Sequence, residues 1–450
     1  MSITCKIKGE NMGIKNTKVM RFQIIKPLDC EWDLLGQVLR EIQYETRQIL
    51  NKSIQLSWEY NGFSNDYKKI HGDYPKSKDI LNYSNIFGYA YNKLKQEYIK
   101  LNTGNLSQTI KRGTDKFKSD MADILKGNKS IPNFKKNCPI DLKSKSIQIY
   151  KEEDSYMANI SLISNNYKKE LERNSGQFLV LLKAGDGTQK AILDKILNGE
   201  YKKCASQIIR HKNKWFLNLT YQFVSEKKKL NSNKILGIDL GIVNVVAMQI
   251  YNAEKDKYEW IKYNQAMISG EELIHFRQKM EARRRSLSKQ SKVAGKGRVG
   301  RGYKTRMKPL LNISDKIARF RDTYNHKISR YIVDFALRNE CGIIQMEDLA
   351  GFKGKGNSLL ENWSYFDLQE KVEYKASEHG IEVKFVNPKY TSQRCSRCGY
   401  INEENRKRQD RFRCVECDYE ANADINAARN IAIPNIDDII KESLTIEITA

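Results

Sequence analysis

The sequence predicts a multidomain α/β protein, in which an N-terminal β-module split by a long helical insert precedes a mixed-sheet domain with an embedded zinc ribbon. Three observations carry this reading. Strand-like alternation near residue 20 breaks off and resumes after a helical stretch, short apolar strands beyond Lys234 end in acids, and two C-x2-C pairs lie near the C-terminus. At 450 residues the chain can build two or more cores.

In "KVMRFQII" Met20, Phe22 and Ile24 alternate with the two-residue period of a half-buried strand. Leu35, Val38, Ile42 and Ile49 then recur at helical spacing, and the pattern stays helical from about Trp32 to Asn128. The β-module resumes near residue 130. In "SQIIRHKNKWFLNLTYQF" Trp215, Leu217, Leu219, Tyr221 and Phe223 alternate strictly after the polar turn "HKNK", so a hairpin is expected. The charged linker "SEKKKLNSN" marks the boundary to the second half. Beyond it "KILGIDLG" reads as a buried strand ending at Asp239, with "VVAMQIYN" and "YEWIKYN" as partner strands. Ile313, Ile317, Phe320, Tyr324, Ile328, Tyr331 and Phe335, at steps of four and three, predict a long helix. After Cys341 and Gly342, "IIQMEDL" is a second short strand ending in an acid, Glu347. A last helix near "NADINAARNIA" carries Asp424 among small residues that permit close packing on a sheet.

Lys and Arg (79) outnumber Asp and Glu (54), a net charge of +25 that a polyanion would neutralise. Nucleic acid is the natural partner, because each phosphate contact releases condensed counterions. Between Arg277 and Lys308 stand 13 Lys/Arg and one acid, Glu281. A solvated face normally mixes signs, so this run suits an element that tracks phosphates. Its candidate contacts are Arg283, Arg284, Arg285, Lys296, Arg298 and Arg301. The first residues hold no signal-like apolar core, and no segment reaches about 18 uninterrupted apolar residues. A cytosolic protein with no membrane partner is therefore expected.

Of nine cysteines, Cys5, Cys30, Cys138, Cys204 and Cys341 are scattered and read as reduced. Cys395 and Cys398 in "CSRC" and Cys414 and Cys417 in "CVEC" form two C-x2-C pairs with fifteen residues between them. A redox pair is an alternative for one such motif; two at this spacing point to Zn²⁺, and four thiolates close its shell, so the ion would be structural. Several basic residues surround the pairs, Arg394 and Arg406 among them, which suggests that the ribbon touches nucleic acid.

A carboxylate at the end of a core strand is costly to desolvate, and three together repel one another. Two divalent cations about 3.5–4 Å apart would resolve the conflict, activating a water and stabilising the leaving oxygen of a phosphodiester. Asp239, Glu347 and Asp424 are thus candidate catalytic residues. For each acid singly, a turn-capping or surface carboxylate is the plain alternative. "GIDLG" also suits the nucleotide-binding strand of actin-like ATPases, but no second Gly-rich phosphate loop is visible, and the basic and zinc elements would go unexplained. The five histidines show no pairing at ligand spacing, so a His-dependent centre has little support.

"GIDLG", "IQMEDLAGFKGKG", "YTSQRCSRCG" and "FRCVECDYEANADINAARNIA", in that order, resemble the RuvC nuclease and embedded zinc ribbon of type V CRISPR effectors and their transposon-encoded TnpB relatives. The N-terminal half, with "FQIIKPLDCEWDLLGQVLREIQYETRQ", "GDYPKSKDI" and "TGNLSQTIKR", is more similar to the miniature type V-F effectors. This resemblance implies an RNA-guided DNA endonuclease. Asp239, Glu347 and Asp424 would be its catalytic acids on two Mg²⁺, with Mn²⁺ able to substitute, and Cys395, Cys398, Cys414 and Cys417 would hold one Zn²⁺. It implies a wedge β-barrel (20–31 and 129–233, after an extension over 1–19) with an inserted helical recognition lobe (32–128). An RNase H-like RuvC domain (234–390 and 419–450) with an embedded ribbon (391–418) would follow. The implied partners are a guide RNA, double- and single-stranded target DNA beside a T-rich flanking motif, and a second copy of the chain on one guide RNA, in a prokaryotic cytosol. Tyr74, Lys76 and Lys78 are candidates near that motif; Ile86, Phe87 and Tyr89 are open between a dimer surface and core packing. A TnpB-like transposon nuclease and a non-cleaving guide-dependent binder are the alternatives, and the presence of all three acids speaks against the second.

Overall fold

The computed structural model describes residues 13–76, 85–226, 228–241, 243–293, 303–349 and 365–449. They form two units: Lys15–Val224, and the remainder of the described chain.

The first unit opens with β1 (Ile14–Pro27), α1 (Trp32–His71), α2 (Ile86–Leu94) and α3 (Thr103–Leu125). There follow β2 (Ile140–Leu142), β3 (Ile147–Glu152), β4 (Ser155–Ser161), α4 (Asn165–Glu170), β5 (Gln177–Lys183), α5 (Gly187–Leu197), β6 (Lys202–Lys203), β7 (Ser206–His211) and β8 (Lys214–Ser225). Their strands make one sheet in the order β2-β7-β8-β1-β5-β4-β3, with β6 on β8. Strand β1 therefore waits for partners from beyond the helices, and its buried Phe22 and Ile24 join Leu35, Val38, Leu39, Ile42 and Ile49 of α1 in one core. Between β7 and β8, Lys212 and Asn213 both adopt positive φ, the geometry of a two-residue hairpin turn that follows the strand twist. Tyr89 is buried and Phe87 packs on the core, so both serve packing here.

The second unit contains β9 (Asn231–Asp239), β10 (Asn244–Asn252), β11 (Lys257–Tyr258), α6 (Tyr263–Ala266), β12 (Met267–Ser269), α7 (Glu271–Val293) and α8 (Tyr303–Arg338). It continues with β13 (Cys341–Glu347), α9 (Tyr365–Ser377), β14 (Glu382–Val386), β15 (Arg411–Arg413), β16 (Glu420–Asn422), α10 (Ala423–Ala432) and α11 (Ile436–Thr449). The main sheet runs β11-β10-β9-β13-β14, with β12 on β10. Strand β9 is antiparallel to β10 and parallel to β13, which is itself parallel to β14. Parallel neighbours end on the same edge, and that is where Asp239 and Glu347 emerge.

One face of β9, Leu236 and Ile238, packs with Ile328 and Ile332 of α8 and Leu368 and Val372 of α9. The other face meets α10. A Cβ on Gly237 would lie 2.3 Å from Ala428 O and 2.4 Å from Ala432 N, so only glycine admits the helix at this approach. The facing positions Ala427, Ala428 and Ala432 are small and fully buried for the same reason, and Asp424 is thereby brought to the edge where the two strands end.

"YEWIKYN" departs from the strand expectation. Only Lys257 and Tyr258 pair with β10, whose edge is then taken by β12 from Ala247 to Asn244; Trp260 between them is 82% exposed. Among the described residues no helix is long and apolar enough to cross a membrane.

Candidate active site and zinc ribbon

Asp239 closes β9, Glu347 closes β13, and Asp424 lies in the first turn of α10. Asn422 caps that helix, its side chain accepting from the N–H of Asp424 (3.0 Å) and Ile425 (3.1 Å). The three half-buried acids line one cleft of about 560 Å³ with Asn244, Tyr365 and Arg406. Burial, and after it the Glu347 and Asp424 carboxylates, push the Asp239 pKa well above the ordinary carboxylate range. Burial also raises that of Glu347, opposed by the Thr391 hydroxyl, which donates to Oε1 at 2.6 Å, and by Arg406. Asp424 is held from two sides, by Arg406 Nη2 at 3.1 Å and by Asn244 Nδ2 at 2.8 Å. Gln369 donates to the Glu347 carbonyl at 2.6 Å and fixes the strand end.

Among the described residues the three carboxylates are not all within 4.8 Å of one another, as the four ribbon thiols are. The Arg406 guanidinium is the cation that Asp424 takes. Hard oxygen donors, with the charged forms of Asp239 and Glu347 disfavoured by burial, fit divalent cations, which would relieve that penalty. Arg406 belongs to a short turn, Glu403–Arg406, inside the ribbon. Sequence reasoning grouped it with the basic ribbon residues; nothing in residue spacing signals its reach into the acidic cleft.

The Sγ atoms of Cys395 and Cys417 lie 3.8 Å apart, and those of Cys398 and Cys414 3.6 Å. A tetrahedron with Zn–S bonds of about 2.3 Å has edges of about 3.8 Å, so the four thiols fit the ion. Gly399 and Asp418, each directly after a C-x2-C pair, take positive φ and turn the chain around the cluster.

Arg283, Arg284 and Arg285 are exposed on α7, with Arg285 paired to Glu281 at 2.6 Å. Tyr74, 57% exposed, has Lys68 Nζ 4.4 Å from its ring centroid, and Lys76 is exposed. Arg394 is turned inward, its Nη1 donating to Asn430 Oδ1 at 2.9 Å. Lys78, Lys296, Arg298 and Arg301 lie outside the described residues. Sequence reasoning missed a polar groove of about 670 Å³ between α3 (Gln108, Arg112, Lys116) and the strand residues Gln207, Asn218 and Thr220. The four-residue steps of Gln108, Arg112 and Lys116 were the available signal.

Residues 365–431, from α9 through the ribbon to α10, match a family model described as the Cas12f1-like TNB domain. This segment supplies Tyr365, Arg406 and Asp424 to the acidic cleft. The chain is 50% identical over 430 residues to the CRISPR-associated endodeoxyribonuclease Cas12f1 of Sulfoacidibacillus thermotolerans, covering 95% of this chain and 99% of that one. It is 33% identical over 404 residues to the Cas12f1 of Syntrophomonas palmitatica, covering 81% and 79%. A chain in a solved Cas12f1–sgRNA–target DNA complex has the same fold at a TM-score of 0.70 and 22% identity, over 93% of this chain and 99% of that one. This chain thus belongs to the Cas12f1 family of CRISPR-associated endodeoxyribonucleases.

Proposed function

We propose that the chain binds a guide RNA, opens matching double-stranded DNA beside a short T-rich motif, and cleaves it at the single cleft of Asp239, Glu347 and Asp424. The observation that carries this reading is the convergence of three half-buried acids on one sheet edge, with Asp239 destabilised as an anion by burial and then by the other two. Bound there, two Mg²⁺ would supply the activated water and neutralise the leaving oxygen. The protein's own share is to orient the ligands: Asn244 on Asp424, Thr391 and Gln369 on Glu347. Arg406, once Asp424 is otherwise neutralised, is placed to take a phosphate oxygen. In this reading 20–31 and 129–233 form the wedge, 32–128 the recognition lobe, 234–390 and 419–450 the RuvC domain, and 391–418 a ribbon on one structural Zn²⁺. Tyr74 and Lys76 serve the flanking motif, and two copies share one guide in a prokaryotic cytosol.

The test is to purify the chain with its RNA, sequence that RNA, and offer duplexes that match or mismatch its guide segment, in Mg²⁺ and beside varied flanking sequence. Cleavage of matched duplexes alone is expected; RNA-independent cleavage overturns the reading. A transposon-end sequence in place of a CRISPR repeat would favour the TnpB-like alternative.

Changing Arg283, Arg284 and Arg285 together to Gln should weaken nucleic-acid binding almost equally for all target sequences, because backbone contacts position without specifying. The log–log salt slope should fall by roughly 0.7 to 0.9 for each phosphate that is no longer neutralised. Titrations at several salt concentrations check this; an unchanged slope would leave these arginines as a solvated face.

A further inference from the structure

Helix α10 has a second engaged face, opposite in character to its alanines. Asn426 and Asn430, one turn apart and fully buried, bond the backbone of the segment that leads into the ribbon. Asn430 Nδ2 donates to Thr391 O (2.9 Å) and Arg394 O (2.6 Å), and its Oδ1 accepts from Arg394 Nη1 (2.9 Å). Asn426 Nδ2 donates to Arg394 O (2.9 Å), and its Oδ1 accepts from the Ser396 N–H (3.0 Å). Apolar residues here would leave the buried carbonyls of Thr391 and Arg394 without these donors. The segment so fixed carries Thr391, itself fully buried, whose hydroxyl lies 2.6 Å from Glu347 Oε1 and 3.0 Å from Pro388 O. A hydroxyl has one proton to give, and an ionised carboxylate is the stronger acceptor.

We propose that Thr391, held in place by Asn430, is a positioning residue that fixes the Glu347 carboxylate for divalent-metal binding and couples it to the base of the zinc ribbon. The proposal rests on the nuclease reading of the cleft. Asn430 sits on the helix that presents Asp424, and Arg394, whose carbonyl both asparagines share, directly precedes Cys395. Catalytic helix, ribbon base and Glu347 therefore belong to one hydrogen-bonded set. Outer partners of metal-binding carboxylates typically account for 10–100-fold in metal affinity or activity.

The test compares Thr391→Val, which keeps the shape and removes the hydroxyl, with Thr391→Ser, which restores it, in the full chain with its guide RNA. Mn²⁺ affinity by electron paramagnetic resonance, the Mg²⁺ concentration for half-maximal cleavage, zinc content and target binding are read together. Thr391→Val should weaken Mn²⁺ binding by about 10–100-fold and raise the Mg²⁺ requirement in step, with zinc and target binding unchanged. Thr391→Ser should recover most of the loss, and Asn430→Asp, which keeps the outline but removes both donors, should show a like defect. Equal defects in Val and Ser would mean packing alone and overturn the assignment. So would normal Mn²⁺ binding in Thr391→Val when Asp239→Asn has lost it; Mn²⁺ binding indifferent to both changes would overturn the assignment together with the reading of the cleft.

Discussion

Asp239→Asn is expected to abolish cleavage, by on the order of 10³-fold or more, while guide and target binding persist and the metal-free protein becomes no less stable. In the proposed reading cleavage needs an anionic oxygen at this position to share in holding divalent cations, whereas binding rests on phosphate contacts and base pairing. The stability half follows from the electrostatics. Asp239 sits at the strand end with its charge opposed by burial and by Glu347 and Asp424, and an amide of the same shape escapes both penalties. Its raised pKa means that the folded chain retains a proton the unfolded chain has lost. Metal-free stability should therefore fall as pH rises from the unfolded value through the raised one, and the Asn variant should lack that component. Magnesium should raise the melting temperature of the unaltered chain more than that of the variant, since only the former has its full ligand set. Melts in chelator and in Mg²⁺ beside a cleavage assay decide it: normal cleavage, or a variant less stable in chelator, would sink the assignment.

The acids and the thiols were legible in the sequence because each breaks a local pattern. Asp239 and Glu347 terminate apolar strands, and the cysteines repeat at metal-ligand spacing. The strand alternation also survives in β8, where Trp215, Leu217, Leu219 and Tyr221 are buried and Phe223 is partly so. What was not legible is what the chain brings together across long separations. Thr391 meets Glu347 across 44 positions and Asn244 meets Asp424 across 180, contacts set by the path of the fold with no periodicity to announce them. Strand β14 escaped for another reason. It is an edge strand with exposed Glu382, Lys384 and Phe385, so it has no buried face to impose alternation. "YEWIKYN" failed in the opposite direction, because aromatic residues with high strand propensity stand where only two pairing positions on β10 were open. Arg394 shows the limit of charge reading: a basic residue beside ribbon cysteines suggests a phosphate contact, yet spacing cannot say that its guanidinium turns toward Asn430.

Removal of the ribbon metal should have the second large effect, and it should spread from fold to catalysis. The buried core of the ribbon is Cys395, Phe412, Cys414 and Ala423, so two of its four members are candidate metal ligands, and its strands β15 and β16 have three residues each. So small a core is not expected to offset the entropy of ordering the loop, and a bound ion would supply the difference; structural zinc in small folds binds with about 10–16 kcal/mol. Cys414→Ser should take the zinc content from about one per chain to none and open the segment 391–418 to proteolysis. The Lys15–Val224 unit, with its own core, should keep its melting behaviour. Cleavage should fall by at least about 100-fold, because Thr391 and Arg406 reach Glu347 and Asp424 from the ribbon and its base. Metal analysis, limited proteolysis and cleavage on the same preparations test the chain of consequences. Zinc absent from the unaltered protein would reject the site, and full cleavage after zinc is stripped would show that Arg406 and Thr391 hold their places without it.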